Sequence, residues 1–116
     1  MKTIQDKILK SDFVEWKKFK FIQGEHLKGL TKEAYQKLRE SIIQNNFVES
    51  FKVWQNGENL YCLDGFHRCK VFSELEKEGW DIPEKFRGDF IKCKDKKEAA
   101  KLVLIYSGIY ARVQYD

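Results

Sequence analysis

Asp64, Gly65, His67 and Arg68 fall within five residues, and their types suit the capture of an anion. An arginine can hold two phosphate oxygens with one planar fork. An imidazole such as His67 can donate to phosphate or shuttle a proton. A carboxylate at Asp64 either caps a helix, accepting first-turn amide hydrogens, or holds magnesium through water beside phosphate. Gly65 permits a sharp backbone turn where a side chain would obstruct it. If a helix starts at Phe66, its free amides and dipole favour an anion, most naturally phosphate, with Lys70 adding charge. An ordinary capped helix with a surface histidine and arginine would use the same residues, and locally both readings stay open.

The surrounding elements must place this turn. Leu60 and Cys62 alternate with Tyr61 and Leu63, as in a strand. From Phe66 the spacing becomes helical, with Cys69, Phe72 and Leu75 on one face and Gly79 as a stop for a helix over 66–78. Upstream, Phe51–Gln55 and Glu58–Cys62 flank Asn56-Gly57, the preferred two-residue type I′ hairpin loop. That loop sets Val53 opposite Leu60 and Phe51 opposite Cys62, all four on one core-facing side.

Further out, Thr31 caps a helix over 31–44 that has Glu33 in its first turn and an apolar stripe of Ala34, Leu38 and Ile42. Leu30 and Tyr35 have the spacing of a hydrophobic staple, and Asn45-Asn46 ends the helix. Phe86–Cys93 reads as another strand after the Trp80–Pro83 connection. Asp95 and Glu98, at capping-box spacing, open a helix over 96–106 that Ser107-Gly108 closes. Residues 1–12 read as a loosely ordered start and Phe13–Ile22 as an edge strand or extended segment. The expected architecture is one α+β domain over residues 1–116, with a small mixed sheet, a β-hairpin and about three helices.

Composition bounds the function. The chain has 116 residues and a net charge of +4, which permits contact with nucleic acid or nucleotide without demanding it. Trp16-Lys17-Lys18-Phe19-Lys20-Phe21 mixes cations with aromatics; a lysine-edged strand is the commoner cause of such a pattern than a nucleic-acid surface. Three cysteines without a CxxC argue against a disulfide framework and fit a reducing cytoplasm. Their spacing suits no zinc motif, and Cys62 and Cys69 fall on faces expected to be buried. No apolar run is long enough to span a bilayer, and the N-terminus has no secretory h-region. Gln23, Glu25, His26 and Lys28 form a polar loop cluster. It would complete a nucleotide site if it folded over the helix start; otherwise it is a solvated loop.

Taken in order, Leu27-Lys28-Gly29-Leu30-Thr31, Leu38-Arg39-Glu40-Ser41-Ile42, Phe51-Lys52-Val53-Trp54 and Leu63-Asp64-Gly65-Phe66-His67-Arg68 resemble the ParB/sulfiredoxin superfamily. The resemblance is to the ParB-like (ParB N-terminal-like nuclease) domains of the DNA-methylase and mobile-element type, and it covers about residues 14–110. It implies a ParB/sulfiredoxin-like fold whose glycine turn binds nucleoside triphosphate phosphates, CTP or ATP, with Mg2+ held by Asp64. The binding residues implied are Gln23, Lys28, Asp64, Gly65, Phe66, His67 and Arg68.

Chromosome-partition ParB proteins carry Gly-Glu-Arg-Arg at this place, of which Gly65 and Arg68 match. Sulfiredoxins carry Gly-Cys-His-Arg; Phe66 stands where their nucleophilic cysteine would be, so that activity does not transfer. Free-serine kinases carry Asp-Gly-His-His-Arg, matched here by Asp64, Gly65, His67 and Arg68. By that likeness Glu25 is the candidate base and His67 a second catalytic candidate, in an NTPase or kinase-type phosphotransferase. The remaining alternative is a non-catalytic adaptor. The resemblance further implies a cytoplasmic, DNA-associated protein of phage or mobile-element type, of which this chain is the N-terminal part. DNA would be contacted through other regions; no membrane is involved, and a homodimer is compatible with the family.

Overall fold

The computed structural model describes residues 2–22 and 30–108. Its elements are β1 (Ile8–Glu15), a 3-10 turn (Trp16–Lys18), β2 (Lys20–Phe21), α1 (Lys32–Asn45), β3 (Phe51–Asn56), β4 (Asn59–Asp64), α2 (Phe66–Lys77), β5 (Lys85–Ile91) and α3 (Lys96–Tyr106). The strands form one mixed sheet in the order β1-β5-β3-β4-β2. β1 runs antiparallel to β5, β5 parallel to β3, β3 antiparallel to β4, and β4 parallel to β2.

Alternation along the central hairpin divides the core between the two faces of the sheet. Val53 and Cys62 join Phe19, Phe51, Cys69 and Phe72 in one cluster, which α2 covers. Trp54, Tyr61 and Leu63 point the other way and join Ala99 and Val103 of α3. With both faces covered, β4 is buried at three consecutive positions, Tyr61, Cys62 and Leu63.

Local signals placed several boundaries. Thr31 Oγ1 accepts from the Ala34 amide at 3.1 Å, and the Asp95 carboxylate accepts from the Glu98 amide at 2.9 Å. Past α2, Gly79 has φ +97° and the Trp80 amide reaches back to the Leu75 carbonyl at 3.0 Å, a Schellman-type closure. Asn46 ends α1 at φ 66°.

Three expectations need correction. The start is not loose throughout, because β1 begins at Ile8; a register shift between Ile8 and Lys10 breaks the alternation that would have announced it. Phe13–Ile22 is not one extended segment either, since the 3-10 turn at Trp16 splits it and sends Lys20–Phe21 to the opposite edge of the sheet. The buried Trp16 anchors that turn by donating from Nε1 to the Pro83 carbonyl at 2.8 Å.

The third correction concerns the hairpin loop, which is Gly57-Glu58, not Asn56-Gly57. Asn56 pairs with Asn59, and Val53 with Cys62. Positive φ occurs at Gly57 (+60°) but not at Glu58, the pattern of a II′ loop, which asks for glycine at its first central position. The pairing moves by two residues, an even number, so the faces survive: Phe51, Val53 and Cys62 are buried and Leu60 packs against them.

Candidate functional site

The turn between β4 and α2 is built around Gly65. Its φ is +139°, and a Cβ there would lie 2.2 Å from Cδ1 of the fully buried Phe51. Glycine is therefore required twice, for the backbone conformation and for the approach of the ring. α2 begins directly after it, and the first helical hydrogen bond runs from the Cys69 amide to the Gly65 carbonyl at 2.9 Å.

Asp64 does not cap this helix. Gly65 is the N-cap residue, and no side chain accepts from the first turn. Asp64 stands one residue too early, as the last residue of β4. Its carboxylate lies 3.9 Å from an Arg68 guanidinium nitrogen. Burial holds it above the ordinary carboxylate range, with the Arg68 charge pulling the other way. Among the described residues, the amides of Phe66, His67 and Arg68 thus have no side-chain acceptor, unlike the first turns of α1 and α3.

Arg68 is not a free fork. Its guanidinium donates to the Asp64 carbonyl at 3.2 Å and to the Glu49 carbonyl, and lies 4.6 Å from the centre of the Phe51 ring. The side chain is 14% exposed. It binds the segment before β3 to the start of α2 and leaves a full positive charge beside the turn.

His67 is half-buried. Burial first, and the Lys70 charge second, hold its pKa below the usual imidazole value, so it is neutral at pH 7 and offers one N–H donor. Phe66 meets His67 edge-on at 5.1 Å and Phe21 edge-on at 5.2 Å. The Phe21–Phe66 contact brings the end of β2 to the start of α2. β2 and β4 are parallel, so the chain leaves β2 towards residues 23–29 at the same end of the sheet as the Gly65 turn. Gln23, Glu25 and Lys28 lie outside the described residues.

A cleft of about 310 Å3 opens beside the first turns of α2. Trp16, Phe19, Phe21 and Phe66 give it aromatic walls, and Lys17 and Lys70 give it charge. Lys17 is paired with Glu76 at 3.0 Å. The mixed stretch from Trp16 to Phe21 was the sequence signal for this cleft, but its reading as a single edge strand hid it. Cys69 reaches the cleft wall, while Cys62 lies behind it; both are buried. A hydrogen bond to Cys69, together with burial, pushes the Cys62 thiol strongly up and keeps it protonated.

No protein-family model and no curated protein matches this sequence. Among solved structures, the chain is similar to the C-terminally truncated chromosome-partitioning protein ParB from Caulobacter crescentus, complexed with CTP-gamma-S. The TM-score is 0.62 at 9% identity, over 92% of this chain and 63% of that one, so this chain spans under two thirds of its neighbour's length. No helix among the described residues is long and apolar enough to cross a membrane. The likeness establishes the fold: a ParB-like α+β fold, with a five-stranded mixed sheet and three α-helices among the described residues.

Proposed function

We propose that this chain is a nucleotide-binding ParB-like domain of a DNA-associated protein of phage or mobile-element type. Its ligand is a nucleoside triphosphate, CTP or ATP. The observation that carries the reading is the uncapped start of α2 at Gly65, where three backbone amides have no side-chain acceptor at the positive end of a twelve-residue helix. The ParB neighbour, complexed with a CTP analogue, supports the choice of ligand. In this reading the amides of Phe66, His67 and Arg68 take phosphate oxygens and Arg68 supplies charge. Neutral His67 donates a further hydrogen bond. Gln23 and Lys28, which follow β2 in the sequence, would assist in the same reading.

The residues fit a magnesium ion in one respect. Magnesium keeps most of its waters and needs only one or two carboxylates beside the phosphates. Asp64 is a carboxylate at the turn, uncommitted to capping. The ion would neutralise phosphate charge. For the chain itself, a nearby cation would offset the burial that makes ionised Asp64 costly.

The test is titration with CTP, ATP, GTP, UTP and ADP in magnesium buffer, with phosphate release and transfer to free serine followed alongside. Binding without turnover is expected. Turnover that Glu25→Gln abolishes, with binding intact, would replace this reading by a kinase-type phosphotransferase, because a general base acts on the acceptor and not on the nucleotide. No binding to any of the five at millimolar concentration would leave a non-catalytic adaptor.

A further inference from the structure

β1 is an edge strand of eight residues whose one partner among the described residues is β5. Ile8, Leu9 and Phe13 are 50%, 65% and 55% exposed along it. A long edge with exposed apolar side chains is a template for another strand, and proteins normally blunt it with charged side chains, proline or bulges. The charges on this edge are of both signs, so they repel an arbitrary strand without repelling a copy of themselves. Around Ser11 the sequence Lys7-Ile8-Leu9-Lys10-Ser11-Asp12-Phe13-Val14-Glu15 is complementary to its own reverse. Turned about a two-fold axis at Ser11, Lys10 faces Asp12 and Leu9 faces Phe13; the irregular register between Ile8 and Lys10 puts Ile8 and Val14 on opposite faces of the sheet and ends the match there.

We propose that β1 pairs antiparallel with β1 of a second copy of this chain, on a two-fold axis at Ser11, joining two five-stranded sheets into one. Charge selects the occupant. Lys10 and Asp12 have no ion-pair partner among the described residues, though Lys10 lies over the Phe90 ring and Asp12 accepts from the Phe13 amide. Across the axis each would meet its opposite, twice by symmetry. Lys7 and Glu15, beyond the irregularity, are paired within the chain, to Glu98 at 2.6 Å and Lys18 at 3.3 Å, and take no part in the match. The irregularity at Leu9 confines the regular ladder to the central residues, with Leu9 against Phe13 as its apolar flanks.

Sedimentation equilibrium of the 116-residue chain over a wide concentration range tests this. The mean mass should rise from that of one chain, 13.9 kDa, towards twice that value. K10D and D12K each set like charges across the axis twice and should weaken association about tenfold. The double variant K10D/D12K restores opposite charges and should recover it. Both positions are exposed, and circular dichroism verifies that each variant is folded. A mass of 13.9 kDa at every concentration would overturn the proposal, as would a dimer indifferent to K10D and D12K or a double variant no better than the singles.

Discussion

The Phe51 ring occupies the space that any side chain at Gly65 would need, with the ideal Cβ position 2.2 Å from its Cδ1 atom. The turn that opens α2 is thereby locked to the first residue of β3. Gly65→Ala should cost about 2–4 kcal/mol, combining strain at φ +139° with overpacking against a fully buried ring. Denaturant midpoints check it. A loss below about 0.5 kcal/mol would mean that the turn and ring part easily.

Arg68 couples stability to the turn. Arg68→Ala removes two hydrogen bonds from a charged donor and the contact with Phe51, and should destabilise by about 2–4 kcal/mol. Arg68→Lys keeps the charge and loses the fork, so it should recover only part of that. If lysine fully restored the melting temperature, charge and not carbonyl bridging would be the residue's contribution.

Asp64 should behave as a ligand-facing carboxylate and not as a cap. Its pKa is raised in the folded chain, so ionisation is a stability cost that grows as pH climbs above the ordinary value of 3.8. Asp64→Asn should leave the melting temperature at pH 7 unchanged or higher, while weakening magnesium-dependent nucleotide binding. A fall typical of a lost cap, about 1 kcal/mol, would contradict the geometry.

Asp89 predicts the acid limb of stability. Hydrogen bonds from Lys52 at 2.6 Å and Ser11 at 2.6 Å, joined by Ser50 at 2.8 Å, hold its pKa down to about 2. A depressed carboxylate stabilises the fold above its unfolded pKa of 3.8, and that contribution is lost as pH falls from there through about 2. Asp89→Asn should lose about 1.5–3 kcal/mol at pH 7 and flatten the stability profile between about pH 4 and 2. Denaturant titrations at several pH values read both effects.

The fold was legible where the signal was local. Thr31, Asp95 and Gly79 mark helix ends through bonds to residues a few positions away, and each does what its type suggests. The core faces of the hairpin were legible because apolar alternation fixes them even when the loop shifts by one residue. The site was legible as a stretch but not as a geometry. Asp64 is adjacent in sequence to the residue that caps, and nothing local reveals that Phe51 requires glycine there. The partners of Arg68, Glu49 and Phe51, lie 19 and 17 positions away and become visible only once the sheet is assembled. The edge role of β1 was hidden because its apolar residues are exposed and an irregular register interrupts their alternation.

The most direct test is an amide-resolved NMR titration of the chain with CTP and ATP in magnesium buffer. A triphosphate should shift the backbone signals of Gly65, Phe66, His67 and Arg68 most, saturably and below millimolar concentration. The amides of Ala34 in α1 and Glu98 in α3, already bonded to Thr31 and Asp95, should stay still. Saturable shifts confined to another surface, or none at any concentration, would contradict the nucleotide-binding reading.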